Sequence, residues 1–512
     1  MVRSRRFASP MTTAWAAIAL IALARIVYQV WFSPYELVAD EAQYWDWSRR
    51  LSASYYSKGP GTAWLIALST SVFGVSEWAV RLPATLAFVV TSAFVSRLAV
   101  DFSSRPAIAA RAAFVAALLV NLLPAYLLAA LLMTIDAPYM ACWAAAVGCA
   151  WWAYKRERSC HPSWLPWIGC GIGIGGGFLF KYTAVLLLPG LVAFAILNRD
   201  AWQRGVALRV TALLAIAVTL MLPVLLWNLQ HQGAGLQHLL GFLATPGGDR
   251  PVRGAWTYDP RWTLELVLAQ LAVIGPVFGV FALAWRRVRA GSDAAQFAVC
   301  CAAPMLLFFL FLTFRAPAEA NWPIAAYISL LPLAACTIAE GADSGVRIWW
   351  RTTLAYGAVA CLAIHMPLVV ASLPTVGRLV PTHRFRGFAD RARSLGQHLD
   401  SVASSTGRPL IVATSHNLAG LLAFYLPGRP LVASAGRFLG DRPSAYDYFA
   451  DTSLAYPQIG ARPAVLVGGT FAGWEEAFIA DGLTLVSDEG PQFATSNLRG
   501  PRQPLAPVVH KQ

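Results

Sequence analysis

Two adjacent carboxylates, Asp40 and Glu41, lie in a long polar segment between apolar runs. On a helix, neighbouring side chains point about 100° apart, so only one of the two need face a reacting group. A carboxylate in this position could act as a general base that removes the proton from an attacking acceptor group. The alternative is a solvated amphipathic helix on a membrane surface, with its aromatic residues in an interfacial belt.

Three basic residues stand at the ends of apolar runs, namely Lys58, Lys181 and Arg315. Gly59 and Pro60 follow the first of them and would stop a helix there. Cations in such positions could stabilise the negative charge that grows on a phosphate leaving group. For Lys58 the alternative is an ordinary lysine whose ammonium group reaches the membrane interface.

Further polar residues at the same ends of the apolar runs are candidates for substrate binding: Tyr44, Tyr56, Asp136, Glu319 and Asn321. An acid at the centre of a membrane helix costs about 2.5 to 3.5 kcal/mol, so such acids tend to be paired or functional. The location of Asp136 at the edge of a run lowers this cost. The alternative for Asp136 is a helix N-cap before Pro138.

Two further patterns are not interpreted as sites. His231 and His238 have no acidic or cysteine partner at a recognisable spacing, so they are interpreted as loop histidines and no metal ligand is predicted. A GxGxxG match begins at Gly171, but it lies in an apolar run and not between a strand and a helix. Gly171 and Gly175 instead favour close packing of helices.

The elements that must position these residues are membrane helices. The 512 residues are 57% hydrophobic and only 13% charged, which a single soluble core could not accommodate. The net charge of +14 is concentrated in short loops between apolar runs, a topological pattern that does not indicate nucleic acid. The eight cysteines lie in or beside apolar runs and predict neither disulfides nor a thiolate metal site.

We predict eleven spans, near residues 11–31, 79–100, 111–131, 138–154, 164–180, 183–197, 207–227, 262–284, 296–313, 322–339 and 350–372. With the N-terminus in the cytoplasm, alternate loops then carry the excess of Lys and Arg, as the positive-inside rule requires. The run 61–73 is too short to span and is interpreted as an interfacial or re-entrant helix. This topology brings all the candidate acids and cations to the outer, periplasmic face.

The composition divides the chain into a membrane domain, 1–373, with a first periplasmic loop at 32–78, and a soluble α/β domain, 374–512. Short β-rich runs at 409–413, 430–433 and 464–467 alternate with helical segments in the second domain. An odd number of spans places this domain in the periplasm. Tyr446, Asp447 and Tyr448, near its middle, could contribute to the choice of acceptor.

An ordered set of short segments now becomes informative: DEAQY at 40–44, YSKGP at 56–60, VFGVSE at 72–77, RLP at 81–83, DAP at 136–138, FKYT at 180–183, WN at 227–228 and EANWP at 319–323. The set resembles the bacterial glycosyltransferases related to dolichyl-phosphate-mannose protein mannosyltransferases and to the lipid A aminoarabinose transferase. The likeness covers most of the membrane part of the chain.

The resemblance implies the C-type glycosyltransferase fold, a polyprenyl-phosphate sugar donor, and inverting transfer on the periplasmic face. It also implies a catalytic carboxylate at Asp40 and contact of Lys58 with the donor phosphate. The aminoarabinose transferase pattern has a glutamate before that lysine, where Ser57 stands here, and Gly59 replaces its first proline. A metal site that uses this glutamate is therefore not expected; no cofactor is required with certainty, and a divalent metal ion stays an option.

The expected partners are a polyprenyl-phosphate-linked sugar, a lipid, glycan or protein acceptor of the cell envelope such as lipopolysaccharide, and the lipids of the bacterial inner membrane. Two other classes compete with a transferase. A transporter or flippase of a lipid-linked glycan would also need intramembrane cations, but it often shows repeats or broken helices at mid-membrane. An assembly protein with a sensor domain would tolerate Asp40→Asn.

Overall fold

The structure is a computed structural model that describes residues 9–103, 105–249, 258–341, 343–406, 409–454, 462–485 and 493–501. The chain forms two compact units, and each is built from separate segments. The first unit, called the helical unit below, contains 1–33, 81–223 and 253–370. The second, called the loop unit, contains 34–80, 224–252 and 371–512.

The described residues are mainly helical. The helices in chain order are α1 (Thr12–Trp31), α2 (Ala39–Ser48), α3 (Gly61–Phe73), α4 (Glu77–Phe102), α5 (Pro106–Leu122), α6 (Pro124–Leu131), α7 (Asp136–Arg158), α8 (Trp164–Phe178), α9 (Leu187–Leu197), α10 (Val206–Gln230), α11 (Ala234–Phe242), α12 (Pro260–Ile274), α13 (Val277–Arg289), α14 (Asp293–Leu312), α15 (Ile324–Glu340), α16 (Ser344–His365), α17 (Pro367–Ala371), α18 (Phe388–Thr406), α19 (His416–Tyr425) and α20 (Phe471–Ala477). Each predicted span falls on one or two of these helices, so the predicted polytopic helical fold is confirmed.

The helices differ in whether each could cross a bilayer alone. Among the described residues, four are long and apolar enough: α1, α4, α10 and α14. Three bent pairs raise the number to as many as seven if each pair is one span. This is fewer than the eleven predicted spans, because several apolar runs fold into helices shorter than a bilayer crossing or into two pieces. The chain is a multi-pass membrane protein.

Proline and glycine mark two of the bends. The predicted span 111–131 bends by 69° between α5 and α6, where Pro124 begins the second helix. The predicted span 262–284 bends by 92° between α12 and α13, where Gly275 has a φ of +70° and Pro276 follows. A proline cannot continue the hydrogen-bond ladder of the preceding helix, and a positive φ interrupts it.

Close helix contacts in the helical unit depend on the glycines of α8. A Cβ atom on Gly171 would lie 2.6 Å from the carbonyl oxygen of Leu213, and one on Gly175 would lie 2.7 Å from that of Ala217. Both carbonyls belong to α10. The prediction that Gly171 and Gly175 serve helix packing is therefore confirmed.

The loop unit contains a five-stranded sheet in the order β2-β1-β3-β5-β4. The strands are β1 (Leu410–Ala413), β2 (Val432–Ser434), β3 (Arg462–Val467), β4 (Phe478–Leu485) and β5 (Phe493–Pro501). The first three are parallel, and β5 pairs antiparallel with β3 and β4. Strands β1, β2 and β3 overlap the three predicted β-rich runs, so the small C-terminal α/β fold is confirmed.

The first loop packs against the C-terminal segment inside the loop unit. Glu36 accepts a hydrogen bond of 2.5 Å from the backbone N–H of Phe388, at the start of α18. Tyr425, at the end of α19, donates a 2.5 Å hydrogen bond to Glu77. The segment just before α2 and the start of α4 are therefore each bonded to a residue more than 300 positions away in the sequence.

Candidate functional site

In the helical unit, three of the predicted residues meet. The ammonium nitrogen of Lys181 lies 2.8 Å from Oδ1 of Asp136, and the side-chain amide of Asn321 donates a 2.7 Å hydrogen bond to Oδ2. Asp136 begins α7, Lys181 follows the glycine-rich α8, and Asn321 lies just before α15. Both carboxylate oxygens are thus engaged, and a buried charge is compensated.

An aromatic ring that the sequence analysis did not single out, that of Tyr139, borders this cluster. The Lys181 ammonium lies 5.6 Å from the ring centroid of Tyr139, one turn along α7 from Asp136. The hydroxyl of Thr183 donates a 3.2 Å hydrogen bond to the hydroxyl of Tyr139. The side chains of Asp136 and Lys181 are only 6% and 11% exposed, so the pair is largely removed from solvent.

Two predicted residues lie in the same loop as Asn321. Arg315 is half-buried just after α14, and Glu319 is exposed and accepts a backbone hydrogen bond from Trp322 through its carbonyl. The structure therefore brings Asp136, Lys181 and Asn321 into direct contact, and Arg315 and Glu319 lie within six residues of Asn321 in the chain.

In the loop unit, the two adjacent acids have different environments. Asp40 is exposed in the first turn of α2, whereas Glu41 is fully buried. A side-chain oxygen of Glu41 accepts a 3.1 Å hydrogen bond from the backbone N–H of Val38, which caps the helix. The two side chains therefore point to different surroundings, as expected for neighbours on a helix, and Asp40 is the accessible one.

The aromatic candidates of the loop unit are buried. Tyr44 is 4% exposed and packs edge-on against Trp47, with 5.1 Å between ring centroids. Tyr56 is 2% exposed and stacks on Tyr448 at 5.4 Å. The ammonium of Lys58 lies 5.8 Å from the ring centroid of Phe242, so the cation is placed against an aromatic face.

A buried hydrogen-bond network holds Tyr56. Its hydroxyl donates a 2.5 Å hydrogen bond to Asp249, and Nδ1 of His238 lies 2.7 Å from the same oxygen. Burial would raise the pKa of Asp249, but the hydrogen bonds from His238 and Tyr56 outweigh it and lower that pKa. Sequence reasoning missed Asp249, because nothing near position 249 marks it as a partner of residues 11 and 193 positions earlier.

The pKa of His238 is lowered, first by burial and also by the nearby cations Arg442 and Lys58. The neutral imidazole can donate one hydrogen bond, which suits its contact with the Asp249 carboxylate. His238 is thus a structural partner of the Tyr56 network, and its interpretation as a loop histidine is wrong, because it lies buried within α11. Within the described residues, no group of three or more His, Cys, Asp or Glu side chains is arranged to hold a metal ion.

Residues 57–227 match the family model described as dolichyl-phosphate-mannose-protein mannosyltransferase. The chain is 26% identical over 473 residues to the lipid A galacturonosyltransferase RgtD of Rhizobium johnstonii, covering 90% of this chain and 89% of that protein. It is 25% identical over 276 residues to the undecaprenyl phosphate-alpha-4-amino-4-deoxy-L-arabinose arabinosyl transferase of Edwardsiella ictaluri, covering 50% of this chain and 48% of that protein.

Among solved structures, the fold is similar to ArnT from Cupriavidus metallidurans in its apo state, with a TM-score of 0.62 and 15% identity over 98% of this chain and 100% of that chain. The form of ArnT bound to undecaprenyl phosphate matches with a TM-score of 0.61 and 16% identity over the same shares of the two chains. Together these matches confirm the resemblance predicted from the sequence: the chain is similar to the membrane glycosyltransferases related to the protein mannosyltransferases and to the lipid A aminoarabinose transferase.

Proposed function

We propose that the chain is an inverting glycosyltransferase that moves a sugar from a polyprenyl-phosphate donor to a lipid A-type acceptor. The relative that spans 90% of this chain is named as a lipid A transferase, which favours that acceptor. The observation that carries the proposal is the exposed carboxylate of Asp40 in the same compact unit as Lys58. This unit provides both a base for the hydroxyl group of the acceptor and a cation for the phosphate of the donor.

The reaction follows from these two groups. Asp40 takes the proton of an acceptor hydroxyl while the hydroxyl oxygen attacks the anomeric carbon of the donor sugar. The bond from that carbon to the phosphate oxygen breaks, and the polyprenyl phosphate leaves with the electron pair. Attack opposite the leaving group inverts the anomeric carbon. Lys58 stabilises the charge that grows on the phosphate.

The remaining predicted residues have less direct roles. Glu41 caps α2 and so fixes the helix on which Asp40 stands. Lys181 pairs with Asp136 in the helical unit, whereas Lys58 belongs to the same compact unit as Asp40, which makes Lys58 the candidate for the donor phosphate. Tyr44 and Tyr56 support the first loop. Arg315 stays a candidate for binding the donor phosphate, and Glu319 and Asn321 stay candidates for substrate binding.

The proposed location is the bacterial inner membrane, with the N-terminus in the cytoplasm and residues 374–512 in the periplasm. The concentration of basic residues in alternate loops supports this orientation. This orientation puts Asp40 and Lys58 on the periplasmic side. A lipid-linked donor can react there because its carrier is a lipid phosphate and not a nucleotide.

The experiment that tests the function measures sugar transfer from a radiolabelled polyprenyl-phosphate donor to lipid A in membranes that contain the wild type or Asp40→Asn. Loss of a general base should lower the rate at least about a hundredfold. Asp390→Asn is a matched control, because Asp390 is also an exposed acid in the first turn of a helix in the same unit. Equal transfer by the wild type and Asp40→Asn would remove Asp40 from the mechanism.

A further inference from the structure

A cavity of about 500 Å³ lies within the loop unit. Three distant segments form its walls: residues 50–56 of the first loop, residues 227–231 at the C-terminal end of α10, and residues 445–451 of the C-terminal part. Its volume falls in the range of small-molecule sites, which is roughly 300–1,000 Å³. Asp40 and Lys58 are not among the described residues that line it.

The walls combine aromatic faces with a few polar groups. The ring centroids of Trp227 and Tyr448 are 5.7 Å apart, and the ring of Tyr448 stacks on that of Tyr56 with an interplanar angle of 20°. On another side, the guanidinium of Arg50 lies 4.7 Å from the ring centroid of Phe449. Ligand sites commonly have this composition, since rings bury the apolar part of a ligand and polar groups orient it.

The polar groups of the cavity are held in place. Nε of Arg50 donates a 2.8 Å hydrogen bond to Asp451, and its Nη1 donates one of 3.3 Å to the buried Asp46. The Asp451 side chain is 40% exposed, so its carboxylate can accept further hydrogen bonds. Arg50 thus holds the carboxylate of Asp451, a hydrogen-bond acceptor, in place at the wall of the cavity.

A row of ring contacts leads from this cavity toward Lys58. Tyr56 lines the cavity and lies 5.1 Å from the ring of His238, which lies 4.7 Å from that of Phe242. The Lys58 ammonium faces Phe242 at 5.8 Å. The Tyr55 backbone N–H donates a 3.0 Å hydrogen bond to the carbonyl of Lys58, so one turn carries both a wall of the cavity and the proposed phosphate cation.

We propose that this cavity binds a saccharide. The apolar face of the sugar packs on Tyr448 and Trp227, and hydroxyl groups of the sugar donate hydrogen bonds to Asp451. A pyranose ring has C–H groups on its faces and hydroxyl groups on its edge, so it needs this combination of flat rings and hydrogen-bonding groups. The inference rests on the proposed glycosyltransferase function and assigns the cavity to one of its two sugar-bearing substrates.

The acceptor is the substrate that the geometry favours. The donor sugar is bonded directly to its phosphate, so it must lie beside the phosphate cation. Lys58 does not line this cavity, and its ammonium faces the ring of Phe242, which is not among the described lining residues either. A saccharide in this cavity therefore belongs to the molecule that approaches the donor, which is the headgroup of the acceptor.

The test compares two ligands on the full-length purified protein in detergent: fluorescent lipid A for the acceptor arm and undecaprenyl phosphate carrying a sugar for the donor arm. Ala53→Trp fills the cavity from an exposed position on its wall. Ala472→Trp is the matched control, since Ala472 is an exposed alanine of α20 that does not line the cavity. Tyr448→Leu is a second variant that removes the stacking face but keeps an apolar side chain.

Ala53→Trp and Tyr448→Leu should raise the Kd for lipid A about tenfold, as expected for the loss of one aromatic contact, and leave donor binding unchanged. Ala472→Trp should bind both ligands like the wild type. Lipid A binding that is equal in all four proteins would overturn the proposal. Weakened donor binding with unchanged lipid A binding would assign the cavity to the donor sugar and overturn the acceptor assignment.

The proposed function is judged separately by sugar transfer in the same preparations. A wild type that transfers sugar while no variant changes lipid A binding would refute the cavity alone. A wild type that binds lipid A in a Tyr448-dependent way but transfers nothing from the radiolabelled donor would refute the transferase alone.

Discussion

Lys181 and Asp136 form an ion pair of 2.8 Å in the helical unit although they are 45 residues apart in the chain. The side-chain amide of Asn321 donates a hydrogen bond to the second carboxylate oxygen, so three chain segments meet at Asp136. The ends of α7 and α8 and the loop before α15 are thereby joined by polar contacts. The pair has a structural role whether or not substrate reaches it.

Removing one partner of this pair should destabilise the fold. Lys181→Met leaves the carboxylate of Asp136 buried without its cation, which typically costs about 3 kcal/mol or more in unfolding free energy. The measurement is the Tm in detergent. Arg261→Met is the control, because Arg261 also pairs with an aspartate, at 2.7 Å, but its side chain is 81% exposed.

The double variant Lys181→Met/Asp136→Leu separates stability from substrate binding. Replacing both charges with apolar groups removes the uncompensated charge, so the Tm should recover in large part. Transfer activity that recovers together with the Tm would indicate a structural pair. Activity that stays lost at a restored Tm would show that Lys181 or Asp136 also acts on a substrate.

Stability should decline on mild acidification because of His416. This residue is 9% exposed, and burial, together with the nearby Arg442, lowers its pKa from 6.5 to about 4. The unfolded chain then binds the proton more readily than the folded chain, so unfolding free energy falls as pH drops from about 6.5 to about 4. The full loss is about 3 kcal/mol at about 1.4 kcal/mol per pKa unit.

The check is the Tm of the wild type and His416→Gln at pH 7.5 and at pH 5. The variant should lose less Tm than the wild type on acidification. His383→Gln, at an exposed histidine of the same unit, should follow the wild type. An identical pH dependence in all three proteins would exclude His416 as the source of the acid sensitivity.

The fold was largely predictable because lipid imposes a simple rule. Apolar runs of sufficient length become helices in a bilayer, and each predicted span falls on a helix. The 92° bend at Gly275 was not predicted, although Gly275 and Pro276 are signals for a break. Sequence shows where a helix can break, but packing against neighbouring helices decides how far it bends.

The candidate site was predictable only in part. Motifs identified Asp136, Lys181 and Asn321, which the structure joins. In contrast, the hydrogen bond from Tyr56 to Asp249 spans 193 positions and depends on how two loops pack. A single sequence carries no local signal for such a contact, because neither residue belongs to a periodic pattern.

The proposed orientation predicts the labelling of a native thiol. All eight cysteines are described by the structure, and Cys160, after α7, is the exposed one among them. It lies in a loop that should be cytoplasmic. A membrane-impermeant maleimide should therefore leave Cys160 unlabelled in spheroplasts and label it after the membrane is opened.

The complementary probe is Ala472→Cys in a Cys160→Ser background. Ala472 is exposed in α20, which should lie in the periplasm. This thiol should react in closed spheroplasts, and the Cys160→Ser background alone should not. Reaction at Cys160 and not at position 472 in closed spheroplasts would reverse the proposed orientation.

Gly420 should be required for the close packing of α19 on α2, the helix that carries Asp40. A Cβ atom at this position of α19 would lie 2.7 Å from the backbone nitrogen and 2.8 Å from the Cα of Gln43, in α2. Alanine is the better helix former by about 1 kcal/mol, which alone would favour Gly420→Ala. The obstructing atoms belong to a backbone and cannot rotate away, so overpacking, at a typical cost of about 1–3 kcal/mol, should outweigh that gain.

Gly420→Ala should therefore lower the Tm and also reduce transfer, because α2 carries Asp40 and must shift to admit the methyl group. Gly436→Ala is the control, since its Cβ would lie 3.4 Å from the nearest atom, an ordinary contact. A Gly420→Ala protein with wild-type Tm and transfer would show that α2 and α19 can separate at no cost, and that the C-terminal segment does not position Asp40.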